Sequence, residues 1–519
     1  MKSIFYYIVI LIVIFFTNSC TDNFEELNKD KQRITTLTGE QLDRLFTSAQ
    51  YHGTVNYPLG GGYQEFHNLY GDMQAQFFAG TQPRFSNDRN TMNGEWHNKA
   101  WKWFTMGVTT LAEVLEATGP KSEFPDENKE AVAKIWKVFV YIPFTDSFGP
   151  LPYFEVGSGK DVVPFDSQEA IYNDFFKSLS EATDVLYKNI SDQTVFRNGD
   201  KMFNGSIDKW IKFGNSIRLR CAMRVSTKFP ELGKKEAEAA IAHPGGLMID
   251  NLDNAFMQTT PPSYINQLCW ITEWNEFRMS AAMQSVLLGY NDPRLIKFFS
   301  RATDTNQFKG IRNGLSILQM SQDYNSVVKN SNISSRFFNK TTNDEPIGFM
   351  MASETWFNLA EAALNGWNTN GKTAKECYES GVRASLQQWG VSGSFMSYIS
   401  STRKPAALND EYATPPLSDL PVVFSTVESE QREQIGLQKW LALYPYSGME
   451  AWAEFRRTGF PKLYPRLNND NPDATLEAGS VKRLTFPPNE AVVNKEGFDI
   501  GLQVLGGPDK TSTKLWWQK

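Results

Sequence analysis

Apolar residues recur at spacings of three and four along most of the chain. Trp101, Phe104, Val108, Leu111 and Leu115 fall on one face of a helix running from about Trp96 to Thr118. Gly119-Pro120 ends that helix, and Ala131, Ile135, Val138 and Ile142 trace a second stripe that returns along it, the pattern of a helical hairpin. The next stripe is Ile171, Phe175, Leu179, Ala182 and Leu186, entered through Asp166 or Ser167 as N-cap. Trp210, Phe213, Ile217, Cys221 and Val225 supply its partner, with a His243-Pro244-Gly245-Gly246 turn shortly beyond. Two more pairs are predicted, 353–365 with 373–389 and 428–444 with 448–457. Paired helices of this size predict a mostly α helical-repeat scaffold, because each hairpin can bury its apolar stripe only against the next.

Three stretches break the period: 52–95, 247–352 and 391–427. They are rich in Gly, Asn, Ser, Pro and aromatic residues, and loops of this length inside a folded body are usually functional. Val422 to Phe424 and Arg483 to Phe486 read as small strands, but nothing predicts a large sheet. The expectation is a single helical domain over 39–519 with long irregular loops.

The amino terminus has a different pattern. Lys2 precedes an almost unbroken apolar run from Ile4 to Phe16, then Thr17, Asn18, Ser19 and Cys20. That run is shorter than the roughly 20 residues a membrane-crossing helix needs, and it reads as a signal peptide, residues 1–19, cleaved before Cys20. A cysteine at that point is the acylation site of a bacterial lipoprotein, so Cys20 carries the lipid and 20–38 form a flexible tether. The membrane is then engaged through the lipid anchor alone. Asp22, Glu25 and Glu26 follow, an acidic stretch similar to the signal that places some lipoproteins on the cell surface.

Composition narrows the chemistry. The 519 residues carry 58 acids against 52 bases, a formal charge of −6 that becomes −7 once Lys2 leaves with the signal peptide, which argues against nucleic acid as a partner. The 37 Phe, 19 Tyr and 14 Trp exceed what a helical core normally demands, so some are expected to face a ligand. Of four cysteines, Cys221, Cys269 and Cys377 lie far apart with no zinc spacing, and Cys221 and Cys377 fall in helical patterns as small core residues. His52, His67, His97 and His243 show neither HExxH nor clustering with cysteine, so no metal site and no cofactor is predicted. Gly366 to Thr373 matches GxxxxGK[ST], but the preceding segment is a helix rather than a strand, so Gly366 reads as a helix C-cap and Thr373 as the next N-cap. Gly390-Val391-Ser392-Gly393 lacks the spacing of a hydrolase elbow. Arg218, Arg220 and Arg224, with Arg456 and Arg457, are expected to fork to carboxylates such as Glu354 and Glu361 on neighbouring helices.

The loop aromatics are the candidate binding residues. Tyr264, Trp270 and Trp274 lie among Pro, Gln and Asn without the pattern of a core helix. A flat ring offers a sugar or an extended peptide a large apolar face at low entropic cost. Asp72, Arg84 and Trp96, with Tyr63, Phe78 and Phe85, give the N-terminal loop a similar mixture. Packing beneath the loops is the competing role for the same rings.

Several segments in order resemble the SusD/RagB family of outer-membrane nutrient-binding lipoproteins, in its SusD-like branch of Bacteroidetes. They are Cys20-Thr-Asp-Asn-Phe-Glu-Glu-Leu-Asn28, Asp146-Ser-Phe-Gly-Pro-Leu-Pro152, Trp210 to Arg224, Asn291-Asp-Pro-Arg294, Glu354 to Gly366 and Gly448 to Pro461. The resemblance implies a right-handed scaffold of tetratricopeptide-like hairpins, tethered to the outer membrane at the cell surface. It implies a TonB-dependent, SusC-like transporter as partner, and a glycan or a peptide as captured nutrient, without catalysis. Asn18-Ser19 departs from the more usual small pair before the lipidated cysteine. Binding loops vary within the branch, so Tyr264, Trp270 and Trp274 rest on composition rather than on the resemblance. A protein-interaction scaffold without small ligand and a secreted hydrolase are the readings from other classes.

Overall fold

The computed structural model describes residues 39–54, 61–191 and 194–519. The signal peptide, Cys20 and the tether lie outside the described residues. Among the described residues no helix is long and apolar enough to cross a membrane.

The first helix, α1 (Gly39–Gly53), packs on α2 (Gly94–Thr118), and α2 turns at Gly119 into α3 (Glu127–Phe148). Asn93 caps α2, accepting from the Glu95 amide at 3.0 Å, and Asp126 caps α3, accepting from the Lys129 amide at 3.0 Å. The chain continues through α4 (Gln168–Lys188), capped by Ser167, then α5 (Ile207–Ser226) and α6 (Pro230–Ala242), each packed on the one before. The pattern did not predict α1 or α6, and Pro230 starts α6 at a position where its missing N–H costs nothing. A short α7 (Gln267–Thr272) and α8 (Ala281–Gly289) follow inside the stretch expected to be loop. The second half repeats the hairpin: α9 (Ala352–Leu364) with α10 (Ala374–Gln388), then α11 (Glu428–Leu443) with α12 (Gly448–Thr458).

Thr373 caps α10 in a reciprocal box with Glu376, and Gly366 takes φ +71° just past α9. The GxxxxGK[ST] match is therefore a helix-turn-helix connection. The stretches at 422–424 and 483–486 belong to no strand, and their polar backbone groups find partners outside any sheet. The Val422 carbonyl accepts from the Tyr378 hydroxyl at 2.7 Å, and the Leu484 amide donates to the Ser147 carbonyl at 2.8 Å. The strands among the described residues form three two-stranded antiparallel ribbons: β1 (Phe78–Gly80) with β5 (Phe277–Met279), β2 (Leu151–Pro152) with β3 (Phe165–Asp166), and β4 (Ala255–Met257) with β6 (Ile347–Met350).

One apolar core runs through all the hairpins, and buried ion pairs cross it. Arg220 forks to both carboxylate oxygens of Glu354 at 2.7 Å, and Arg457 does the same to Glu361 at 2.7 and 2.6 Å, as expected. Arg224 reaches three acids, Asp146 at 3.0 Å, and Glu450 and Glu454 at 2.5 Å each. The Arg220 and Arg224 pairs join α5 to α3, α9 and α12, and the Arg457 pair joins α12 to α9, so together they fix the angle between the two halves of the scaffold. Cys221, Cys269 and Cys377 are buried free thiols.

Candidate functional site

The ribbon β1·β5 is what brings the two aromatic stretches together, pairing Phe78 with Met279, Ala79 with Arg278 and Gly80 with Phe277. Beyond the ribbon the Thr81 amide donates to the Glu276 carbonyl at 3.0 Å, and the Thr81 hydroxyl to the Asn275 carbonyl at 2.9 Å. Arg84 forms an ion pair with Glu276 and lays its guanidinium 4.8 Å from the centre of the Phe85 ring. The amide of Gln64 donates to the other Glu276 oxygen at 2.6 Å, holding that carboxylate in place from below.

On the same side, α7 starts at Asn266, whose side chain accepts from the Leu268 amide at 3.0 Å. Leu268, Cys269 and Ile271 point into the core, which leaves Trp270 on the outer face. Lys340 places its ammonium 4.7 Å from the Trp270 ring centre, and is itself held by Glu273, which accepts from the Lys340 amide at 2.9 Å. Trp274, one turn further on, is half-buried and packs its inner face on the core. Tyr264 stacks on Tyr51 with ring centres 4.2 Å apart, so one of its faces is occupied.

The remaining candidates sit deeper. Trp96 is half-buried and meets Tyr70 and Phe85 edge-on at 6.1 and 5.6 Å, a layer beneath Arg84. Asp72 is buried at the end of a π-helical segment, Gln64–Asp72, where Asn68 donates to it at 3.1 Å. Burial pushes its carboxyl well above the usual range, and it lies so close to Gly448 that a side chain there would collide with it. Asp72 therefore joins the N-terminal segment to the start of α12 and reaches no solvent. Arg84 is held through Glu276 two residues beyond Trp274, Trp270 lies four residues before Trp274, and Tyr264 packs on Tyr51 of α1, while Asp72 is buried and Trp96 packs on Tyr70 and Phe85. Sequence reasoning missed Lys340, Glu273 and Glu276, which frame the tryptophans. Nothing local marks Lys340, but Glu273 and Glu276 flank Trp274 in the chain and were available to find.

Among the described residues no three His, Cys, Asp or Glu side chains converge to hold a metal ion. What the surface provides is aromatic faces edged by fixed charges and amides, which suits reversible binding of a molecule carrying both apolar faces and hydroxyl or amide groups. The fold is a helical-hairpin scaffold that carries this aromatic and charged surface on its loops.

The family model for SusD-like proteins, described as Susd and RagB outer membrane lipoprotein, matches residues 18–518, and the chain belongs to that family. Members of the family are binding proteins rather than enzymes. Comparison with curated proteins gives no match. Among solved structures, a chitin-binding SusD homolog from Flavobacterium johnsoniae is 32% identical with a TM-score of 0.83, the match covering 92% of this chain and 98% of that one. A SusD homolog from Bacteroides vulgatus is 30% identical with a TM-score of 0.83, covering 92% and 97%, and one from Bacteroides uniformis is 30% identical at 0.81, covering 92% and 99%.

Proposed function

We propose that this lipoprotein captures glycan at the cell surface through the Trp270, Trp274 and Arg84 face and delivers it to a SusC-like, TonB-dependent transporter. The observation that carries the reading is the half-buried Trp270 on the outer side of α7, its ring approached by Lys340, whose backbone amide is held by Glu273. Indole faces of this kind stack on sugar rings, and neighbouring charges and amides orient the hydroxyls. The 32% identical relative whose described ligand is chitin points to the same class of nutrient. Hand-over sets an upper limit on affinity, since very tight binding would stall release, and a range of roughly −8 to −4 kcal/mol, micromolar to millimolar, suits it.

The test is calorimetric titration of the purified protein with chitooligosaccharides and a wider panel of neutral glycans, with an oligopeptide mixture as control. Saturable glycan binding that Trp270→Ala abolishes, with unchanged thermal unfolding, is the expected result. Binding to peptides alone would move the assignment to protein-derived nutrients. Release of shorter products during long incubation would instead favour a hydrolase.

A further inference from the structure

A second cleft, of about 850 Å³, opens between the end of α8 and the turn that follows α10. It shares no lining residue with the tryptophan face. One wall is Tyr290, Asn291 and Ile296 with the loop carrying Arg301 and Phe308, and the other runs from Val391 through Ser397 to Arg403. Its size falls within the usual span of small-ligand sites, about 300–1,000 Å³.

The walls are fixed rather than loosely apposed. The Ala406 amide donates to the Ser285 carbonyl at 2.8 Å, and the Ser285 hydroxyl donates back to the Ala406 carbonyl at 2.7 Å. Gly289 lies so close to the backbone at Lys404 and Pro405 that no side chain fits there. At the floor, Arg294 holds Asp292 at 2.7 Å while Tyr398 donates to the same carboxylate at 2.5 Å. Asp292 is the one carboxylate among the lining residues, and its charge is cancelled inside the wall.

Two cations of the lining stand outside any ion pair. Arg301 donates to the Asn306 carbonyl at 3.0 Å and covers the Phe308 ring at 4.7 Å, and Arg403 stands at the opposite rim; neither forms an ion pair among the described residues. The exposed Lys404 follows Arg403 in the chain, and the exposed Lys297 and Asp304 lie four residues before and three after Arg301. On a molecule of net negative charge, such a cleft attracts anions. Its other polar lining is hydroxyl and amide, from Ser394, Ser397, Ser401, Asn291 and Gln307, groups that both donate and accept as sugar hydroxyls do.

We infer that this cleft binds an acidic oligosaccharide, one bearing carboxylate or sulfate groups that bridge Arg301 and Arg403. The choice of a saccharide rests on the glycan-capture reading above; the choice of an anion rests on the cleft alone. The test titrates the full chain, solubilised in detergent, with a galacturonic acid hexamer, its methyl ester, a sulfated heparin-derived hexasaccharide and hexaglutamate, alongside a neutral chitooligosaccharide. At least one acidic saccharide binds saturably, and the double variant Arg301→Gln, Arg403→Gln weakens it by about tenfold or more. The methyl ester binds no better to the native protein than the acid does to the variant, and neutral-glycan binding is unchanged in that variant. Equal affinity of variant and native protein, preference for hexaglutamate, or no binding of either acidic saccharide overturns the inference. Loss of neutral binding in Trp270→Ala with the acidic ligand unaffected separates the two surfaces, so failure of one reading is distinguishable from failure of the other.

Discussion

Arg294 has both its charge and its hydrogen bonds satisfied in the interior, by Asp292, Ser385, Tyr398 and Gln438. Truncating Asp292 to Ala strands a buried guanidinium, and the expected loss is about 3–5 kcal/mol, read as a lower urea midpoint. Arg294→Met with Asp292→Leu, which removes both charges, should recover much of it; a midpoint as low as that of the single variant would show the pair itself to be stabilising. His97 gives the corresponding pH effect. Burial against Tyr70 and Phe148, with Arg483 nearby, pulls its imidazole down to about 3. The folded state then binds fewer protons than the unfolded chain below the ordinary histidine value near 6.5. Its stabilising contribution is complete above that value and declines as pH falls towards 3, by about 1.4 kcal/mol per pH unit. Urea midpoints between pH 7 and 5 should fall less steeply in His97→Phe than in the native protein, and equal slopes would contradict this account. The arginine forks were legible as residues, since Arg220 and Arg457 have long-range acids in helical register. Trp270 is half-buried on a helix that the sequence did not reveal, because six residues of α7 are too few to display a period.

At the scale of elements, the α1·α2 crossing is set by two glycines. A Cβ at Gly107 would fall against the Gly53 backbone, so the helices approach with no side chain between them. Gly107→Ala must force them apart and should cost about 1–3 kcal/mol, whereas Gly39→Ala, which meets nothing within 4 Å, should leave the thermal midpoint unchanged or raised. The hairpins from α2 to α5 and from α9 to α12 were readable because each carries a full apolar stripe of large residues. By contrast, α6 has few large apolar residues, being mostly Ala, Lys and Glu, and gives little contrast between its faces. The ribbons were illegible for another reason. Strands of two to four residues contain too little alternation to detect, and β1 meets β5 across some two hundred residues of chain. The aromatic surface inherits that difficulty: its two halves are visible in the sequence, and their meeting is not.

For the whole molecule, covalent state provides the sharpest test. Cys221, Cys269 and Cys377 are all buried and unpaired. A thiol reagent should therefore label the native protein slowly if at all. After unfolding in guanidinium three thiols react if Cys20 carries the proposed lipid; a count of four would mean that the anchor is absent, and fewer than three a disulfide. The helical class of the molecule was readable from its stripes, and the family from its ordered segments, yet the closure of the body was not. Arg224 obtains two of its three counter-charges from residues 226 and 230 positions further along the chain, and its guanidinium lies 5.4 Å from the ring of the fully buried Trp517. In chain order this cation precedes two of the three carboxylates that neutralise it by more than two hundred residues. Asp146 on α3 precedes Arg224 in the chain, while Glu450 and Glu454 complete the pairing only with α12. The final stretch of the chain thus completes the charge balance of a helix laid down in the first half, and a chain cut before α12 should lose the sharp cooperative unfolding of the whole body, read by urea titration.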